Sequence, residues 1–309
     1  MRRLLPILCT LICVLPTICL AAPTTPHWVV ATQPTPVFNT PDTKEAMRGG
    51  RFVDRCGLNR ALEFIALPGA AFRVEGELRR DGEAVYRVTT ADYPYPAKEG
   101  LFVDARFVKD EQTRPPERSR SLPGRDKIAR RMLSAVGLPY VWGGNVREGI
   151  LPPGERGGKA VFAGLDCSGL LYEATDGVTP RNTSSLVSFG RPVPVAGLTP
   201  DAIAARLQPL DLIVWRGHVI IVLDRKRTIE SRLSCNSEGK SGVVVSPLRE
   251  RLREVMTTRQ PADAAGKDTF VVRRWFETSR PAPASPSPPS PPPAAGPPAS
   301  GNGRAASGR

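Results

Sequence analysis

One cysteine of this 309-residue sequence lies in a setting that favours covalent chemistry. Cys167 is the third residue of the segment LDCSGL, residues 165–170. A cysteine thiol becomes a nucleophile when the positive end of a helix or a nearby imidazolium lowers its pKa. The run that follows, LLYEAT at residues 170–175, predicts a helix with Cys167 in its first turn. The alternative, a small buried hydrophobe, is the commoner role of such a cysteine.

The partner base follows from composition, because the chain has only two histidines. His27 lies at the far N-terminus, so His218 is the only imidazole left for a folded core. The run from His218 to Leu223 predicts a strand, which would hold the ring on a rigid element. We therefore predict a cysteine hydrolase in which Cys167 attacks an amide carbonyl and His218 later protonates the leaving amine. Backbone N–H groups around Cys167 are the expected donors to the oxyanion.

Both ends of the chain are expected to lie outside the folded core. Residues 1–22 have the layout of a secretory signal peptide, with two arginines, an apolar stretch and two alanines at the expected cleavage site. The alternative is a retained membrane anchor, and two prolines within the stretch favour cleavage, with no stable membrane insertion afterwards. Residues 279–309 are almost entirely Pro, Ala, Ser and Gly, which predicts a disordered tail.

Cysteine content supports an exported protein. Cleavage would leave Cys56, Cys167 and Cys235, of which two could pair in an oxidising periplasm while the third stays free. A bridge from Cys56 to Cys235 would join the two halves of the chain, although the sequence does not show that these residues are close. This pairing stays open at the level of sequence.

The formal net charge of +13 indicates an anionic partner, such as a cell wall or membrane headgroups. Basic residues are spread along the chain and often alternate with acidic ones, as in RERLRE at residues 249–254. Because aromatic residues are not interleaved with them, we expect no nucleic-acid partner.

The chain divides into two predicted domains. Short β-prone stretches at 29–31, 71–74, 85–88 and 101–103, separated by turn dipeptides, predict a small all-β barrel over residues 26–110. Residues 111–124 are polar and Pro-rich, which predicts a linker. The apolar spacing from Lys127 to Val136 then predicts the first helix of a second domain, residues 125–278. The segment GLFVDARFV at 100–108 resembles the closing strand of bacterial SH3-like domains.

The second domain resembles the NlpC family of papain-like cell-wall cysteine peptidases. Five motifs stand in the family's order, namely YVWGGN at 140–145, DCSG at 166–169, PRNTS at 180–184, LQPLDLIVW at 207–215 and GHVIIVL at 217–223. The resemblance implies an α+β papain-like domain that hydrolyses peptidoglycan stem peptides, most often between γ-D-glutamate and a diamino acid. It implies a secreted or periplasmic protein associated with the cell wall. No cofactor is expected, and the chain offers no His/Cys cluster with zinc spacing.

The resemblance also assigns roles to residues around the dyad. The Tyr140 hydroxyl would join the oxyanion donors, and Asp166, Ser168 and Arg181 would line the oxyanion or substrate site. For Trp142 we expect packing alone. The family usually has a third catalytic residue, His, Asn or Gln, that orients the histidine base. Here Glu230 stands at that position and would orient His218. The alternative is an exposed Glu230, with a backbone carbonyl orienting the ring.

Two departures from the family stand out. Residues 146–164, VREGILPPGERGGKAVFAG, form a longer loop than usual, which we expect to lie beside the cleft and to gate it. Leu210 stands where the family commonly has Gly, which we interpret as a local turn difference.

Three functional alternatives remain at the level of sequence. The same dyad could act on another amide, such as the N-acetylmuramoyl-L-alanine bond, or could transfer an acyl group. Glu230 in place of the usual third catalytic residue could instead mark a non-catalytic wall-binding protein. The SH3-like domain could bind wall or restrict the cleft to trimmed peptides with a free N-terminus.

Overall fold

Two large, mainly antiparallel sheets organise the computed structural model, which describes residues 27–154, 158–235 and 241–276. The predicted signal peptide and Pro-rich tail lie outside these residues. Contacts join both sheets into one compact unit that ends at Phe276. Among the described residues, no helix is both long and apolar enough to cross a bilayer.

The N-terminal β region, residues 27–111, contains seven strands in the order β3-β2-β6-β5-β4-β1-β7. All four β-prone stretches of the sequence fall within strands, so this part of the prediction is confirmed. The elements are β1 His27–Ala31, β2 Thr35–Phe38, α1 Thr43–Arg48, β3 Leu62–Ala66, β4 Ala71–Arg80, β5 Glu83–Thr89, β6 Leu101–Asp104 and β7 Val108–Glu111, with 3₁₀ turns at Gly50–Phe52 and Ala105–Phe107.

Helix α1 shows that the expectation of an all-β region was wrong in one element. The helix has only six residues, which is too short for an amphipathic pattern to be recognised. Its Ala46 and Met47 pack in a cluster with Phe38 and Leu62 of the neighbouring strands. Tertiary packing therefore stabilises a helix that the local sequence does not predict.

The C-terminal α+β region, residues 125–276, contains a sheet in the order β10-β16-β11-β12-β13-β14. Its elements are α2 Arg125–Ser134, β8 Asn145–Val146, β9 Gly164–Leu165, α3 Cys167–Ala174, α4 Thr183–Leu186, β10 Arg191–Val193, α5 Pro200–Arg206, β11 Leu212–Trp215, β12 His218–Val222, β13 Arg227–Arg232, β14 Gly242–Pro247, α6 Leu248–Met256, β15 Gln260–Pro261 and β16 Thr269–Arg274.

Burial of both faces of the sheet explains why β11 and the residues after His218 in β12 are apolar. Val214 and Val219 belong to the cluster that packs under α2 and α3, whereas Ile213 and Ile220 belong to the cluster under α5 and α6. Because successive strand residues point to opposite faces, both faces of the sheet are buried by helices. The strand that begins with His218 is therefore held rigidly from both sides.

Two glycines let the start of α3 lie directly against the turn before β8. The Asp166 N–H donates to the Gly144 carbonyl at 2.9 Å. A Cβ atom at Gly169 would overlap that same carbonyl oxygen, and one at Gly144 would come within 2.6 Å of the Gly164 carbonyl. The glycines of the GG and DCSG motifs are therefore required by close backbone packing.

The insertion at 146–164 packs away from the predicted cleft. Its Ile150 pairs with Val161, and both lie against the cluster around Phe38 and Met47 in the N-terminal β region. None of its described residues lines either of the cavities beside Cys167. The expectation that this loop gates the cleft was wrong for these residues, because Ile150 is buried against the other region and Val161 and Phe162 pack there beside it.

Candidate active site

Cys167 begins helix α3, as the sequence predicts, and it is a free, buried cysteine. Asp166 caps the helix, since its Oδ1 accepts a hydrogen bond from the Gly169 N–H at 2.6 Å. The Cys167 Sγ lies 3.9 Å from the carbonyl oxygen of Gly217. The thiol is thus placed at the positive end of the helix and beside the residue that precedes His218.

His218 is the first residue of β12, and its ring lies between two polar side chains. Its Nε2 is 2.6 Å from Oε2 of Glu230. The Cys167 side chain is the other polar neighbour, and it raises the pKa of the ring. A carboxylate at Nε2 favours the proton on that nitrogen, which leaves Nδ1 for the thiol.

Glu230 is fully buried and is held from its far side by Arg251 of α6. Arg251 donates from Nε to Oε1 at 2.6 Å and from Nη2 to Oε2 at 2.9 Å. This bidentate contact is the strong form of an arginine–carboxylate pair. The alternative of an exposed Glu230 is excluded by its burial.

These contacts set the charge state of the ring and its carboxylate. Burial alone would lower the pKa of His218, but its contacts with Cys167 and Glu230 outweigh burial and raise it to about 9. Burial would raise the pKa of Glu230, and contacts with His218 and Arg251 instead lower it. A chain of charged groups, arginine, carboxylate and imidazolium, therefore leads to the thiol.

A cavity of about 210 Å³ opens in front of the thiol, and Tyr140 is part of its wall. Burial raises the pKa of Tyr140, and the nearby Asp166 and Cys167 act in the same direction. The hydroxyl therefore remains protonated and is able to donate a hydrogen bond into the cavity.

The predicted site residues Asp166, Ser168 and Arg181 form a buried network in the wall of this cavity. Arg181 donates from Nη2 to Asp166 Oδ2 at 2.7 Å and from Nη1 to Ser168 Oγ at 2.9 Å. Its Nε donates to Asn145 Oδ1 at 3.1 Å, and the Asn145 side chain in turn bonds the backbone of Ile65 in β3. Because these groups bond one another, the geometry favours a positioning role at the start of α3.

The PRNTS motif also has a structural explanation. Asn182 caps α4 by accepting a hydrogen bond from the Ser184 N–H at 3.0 Å. Thr183 Oγ1 accepts a hydrogen bond from the Gly217 N–H at 2.9 Å. The motif thus fixes the backbone immediately before His218.

Two residues of the N-terminal β region line the same cavity and were missed by the sequence analysis. Glu63 and Tyr93 are both in its wall, and the Tyr93 hydroxyl donates to Glu63 Oε2 at 2.8 Å. Their positions, far from the motifs along the chain, carry no local signal of a site.

A second cavity of about 660 Å³ lies on the other side of the dyad. His218 lines it, whereas Cys167 lines the smaller one, and Tyr140 and Trp142 border both. Trp142 is 38% exposed and carries the Arg60 guanidinium over its ring at 4.1 Å, so it forms cleft wall in addition to packing. The other lining residues are Trp215, Gly217, Arg232, Leu233, Ser234, Arg251 and Glu254.

The open question about cysteine pairing is answered by a disulfide between Cys56 and Cys235, whose Cα atoms are 5.2 Å apart. It joins a loop of the N-terminal β region to the segment after β13. Leu233 and Ser234, just before the bridge, belong to the wall of the larger cavity. The bridge therefore anchors one side of the cleft.

Comparison with known proteins gives a consistent set of relatives. The peptidoglycan endopeptidase RipB of Mycobacterium tuberculosis is 32% identical over 139 residues, which cover 43% of this chain and 51% of RipB. The chain thus spans about half the length of the curated relatives it matches. No family model matches the chain.

The match to RipB and the five ordered motifs point in the same direction. The chain is similar to peptidoglycan hydrolases of the NlpC/P60 family. Among solved structures, RipB is 27% identical with a TM-score of 0.32, over 50% of this chain and 65% of that one. An NlpC/P60 family protein of Bacillus cereus is 19% identical with a TM-score of 0.34, over 82% and 65%.

A third solved structure is RipD of Mycobacterium tuberculosis, described as a non-catalytic NlpC/p60 domain protein. It is 21% identical with a TM-score of 0.31, over 49% of this chain and 97% of that one.

Proposed function

We propose that this protein is a cysteine endopeptidase that hydrolyses peptidoglycan stem peptides between γ-D-glutamate and a diamino acid. The observation that carries the proposal is Cys167 at the start of α3, next to a His218 ring held by the buried Glu230 and Arg251. The thiolate attacks the carbonyl carbon, and the imidazolium gives its proton to the leaving amine. Backbone N–H groups at the helix start and the Tyr140 hydroxyl serve the oxyanion.

The acyl half of the substrate occupies the cavity that Cys167 lines. At about 210 Å³ this cavity is smaller than the roughly 300–1,000 Å³ of sites for drug-sized ligands, so it takes a short segment. The Glu63 carboxylate in its wall suits a free N-terminal ammonium. These features support trimmed stem peptides, in preference to intact wall, as the substrate.

Export is part of the proposal. The N-terminal signal layout and the Cys56–Cys235 disulfide both support a secreted or periplasmic location, since disulfides persist in oxidising compartments. Peptidoglycan or its stem peptides would be the partner there.

The test compares wild type with Cys167→Ala on intact wall and on free stem peptides, with products sized by mass spectrometry. We expect the wild type to release a γ-D-glutamyl product from free peptides, and Cys167→Ala to release none. Peptides that begin with L-alanine, released from the muramic acid of intact wall, would show an amidase instead. A wild-type protein that binds wall and yields no product would support the non-catalytic alternative.

A further inference from the structure

The two cavities beside the dyad divide the substrate between them. In amide hydrolysis the acyl carbon becomes bonded to the nucleophile, while the general acid protonates the departing nitrogen. Cys167 lines the cavity of about 210 Å³, and His218 lines the cavity of about 660 Å³. The leaving residue must therefore lie in the larger cavity, which we name the His218 cavity.

Among the described residues that line the His218 cavity, one guanidinium is available for a ligand. Arg251 is engaged with Glu230 and Glu254. Arg232, also in the wall, has a half-buried side chain whose guanidinium forms no hydrogen bond or ion pair with any described residue. A cation placed in a cleft without a protein partner suits an anionic group of the substrate.

Strand geometry explains why Arg232 faces the dyad. Glu230 and Arg232 are two residues apart in β13, so their side chains leave the same face of the sheet. The pairing of Ile221 with Ile229 and of Val222 with Thr228, continued along the strands, sets Arg232 opposite His218. The guanidinium is thus fixed on a sheet, near the bond to be cleaved.

We propose that the His218 cavity binds the leaving diamino residue and that Arg232 binds the carboxylate carried by the side chain of that residue. This inference rests on the proposed function and restricts which diamino residue the substrate carries. Glu254, which is 62% exposed at the same cavity, supplies a carboxylate for the side-chain ammonium. Two tryptophans, Trp142 and Trp215, cover the aliphatic part of the chain between the two charges. The enzyme accordingly prefers a diaminopimelate-type residue with a free side-chain carboxylate.

The experiment uses two stem tetrapeptides that differ in one group. Both have the sequence L-Ala-γ-D-Glu-diaminopimelate-D-Ala, with the side-chain carboxyl either free or converted to the neutral amide. We expect wild type to show a kcat/KM roughly 10- to 100-fold higher for the free carboxylate, the range of a charge-assisted hydrogen bond. Arg232→Gln abolishes this preference by slowing only the free-carboxylate peptide, and Arg232→Lys retains most of it.

Arg225→Gln is the matched control, because Arg225 is exposed in the turn between β12 and β13, away from both cavities. It should leave both rates and their ratio unchanged. If wild type cleaves both peptides equally, or if Arg232→Gln slows both by the same factor, the inference is overturned while the proposed function stands. If wild type cleaves neither peptide, the proposed function itself fails.

Discussion

Replacing Glu230 by Gln tests the charge relay behind the dyad. The Glu230 carboxylate lies 2.6 Å from His218 Nε2 and forms a charge-assisted hydrogen bond when the ring is protonated. Such bonds contribute about 1.5–3 kcal/mol, against about 0.5–1.5 kcal/mol for neutral ones. An amide at this position therefore costs the imidazolium about 1–2 kcal/mol, which corresponds to roughly one pKa unit.

The sign of the effect follows from the direction of the pKa shift. His218 must be protonated to serve the leaving amine, and its pKa is raised to about 9 in the wild type. We expect the alkaline limb of the kcat/KM profile to move about one pH unit downward in Glu230→Gln. Activity then falls about fivefold at pH 9, approaches a tenfold loss at higher pH and changes little near pH 7, by the relation between free energy and pKa.

The assay is a pH–rate profile on a stem peptide, with Glu250→Gln as control. Glu250 lies on the exposed side of α6, so the same chemical change there should not move the limb. An unmoved alkaline limb in Glu230→Gln, or an equal loss of rate at every pH, would contradict the relay.

The same pair of groups predicts how stability depends on pH. Because the folded pKa of His218 exceeds its ordinary value of about 6.5, its stabilisation is complete below that pH and is lost as pH rises through about 9. The pKa of Glu230 is lowered, so its contribution is present above about pH 4.5 and is lost on acidification through its folded pKa. Wild type and Glu230→Gln should therefore differ most in melting temperature between about pH 4.5 and 6.5.

Three further variants probe the scaffold. Leu210→Gly relieves the strain of a left-handed backbone at φ +71°, but it also removes a buried side chain and leaves a cavity. Because the cavity costs more than the relieved strain, urea unfolding should show a net loss of about 1–3 kcal/mol in the free energy of unfolding. Gly169→Ala places a methyl group on the Gly144 carbonyl, and the same measurement should show a loss of about 3 kcal/mol or more; a stable variant would refute the packing argument. Removing the disulfide with Cys56→Ser and Cys235→Ser should lower the free energy of unfolding by about 2–5 kcal/mol, measured by thermal unfolding. Because the bridge anchors the cleft wall, the same variant should raise KM more than it lowers kcat. An unchanged KM would contradict that role.

The sequence predicted those parts of the site whose signals are local. The helix that begins at Cys167 and the strand that begins at His218 have clear patterns and occur as predicted. The family resemblance placed Glu230 on the strand after the one that carries His218. Its burial agrees with the proposed role. The interpretation of Leu210 as a local turn difference has a physical basis in its left-handed backbone, where glycine is the favoured residue.

Other parts depend on contacts between distant segments and could not be predicted. Arg251 belongs to the run RERLRE, whose alternating charges gave no signal of a site, yet it lies on the same helix face as Leu248 and Val255, which are buried. The positions of these apolar residues around it were the available signal. Glu63 reaches the cavity through packing of the two regions, for which the sequence holds no periodic pattern.

We propose that His218 activates Cys167 as the nucleophile. The most direct measurement is the rate of iodoacetamide alkylation of Cys167 against pH, followed by peptide mass spectrometry to assign the modified residue. We predict faster alkylation than for a free cysteine at pH 7, with His218→Ala slowing it to the free-cysteine rate. Equal rates for wild type, His218→Ala and free cysteine would contradict the account.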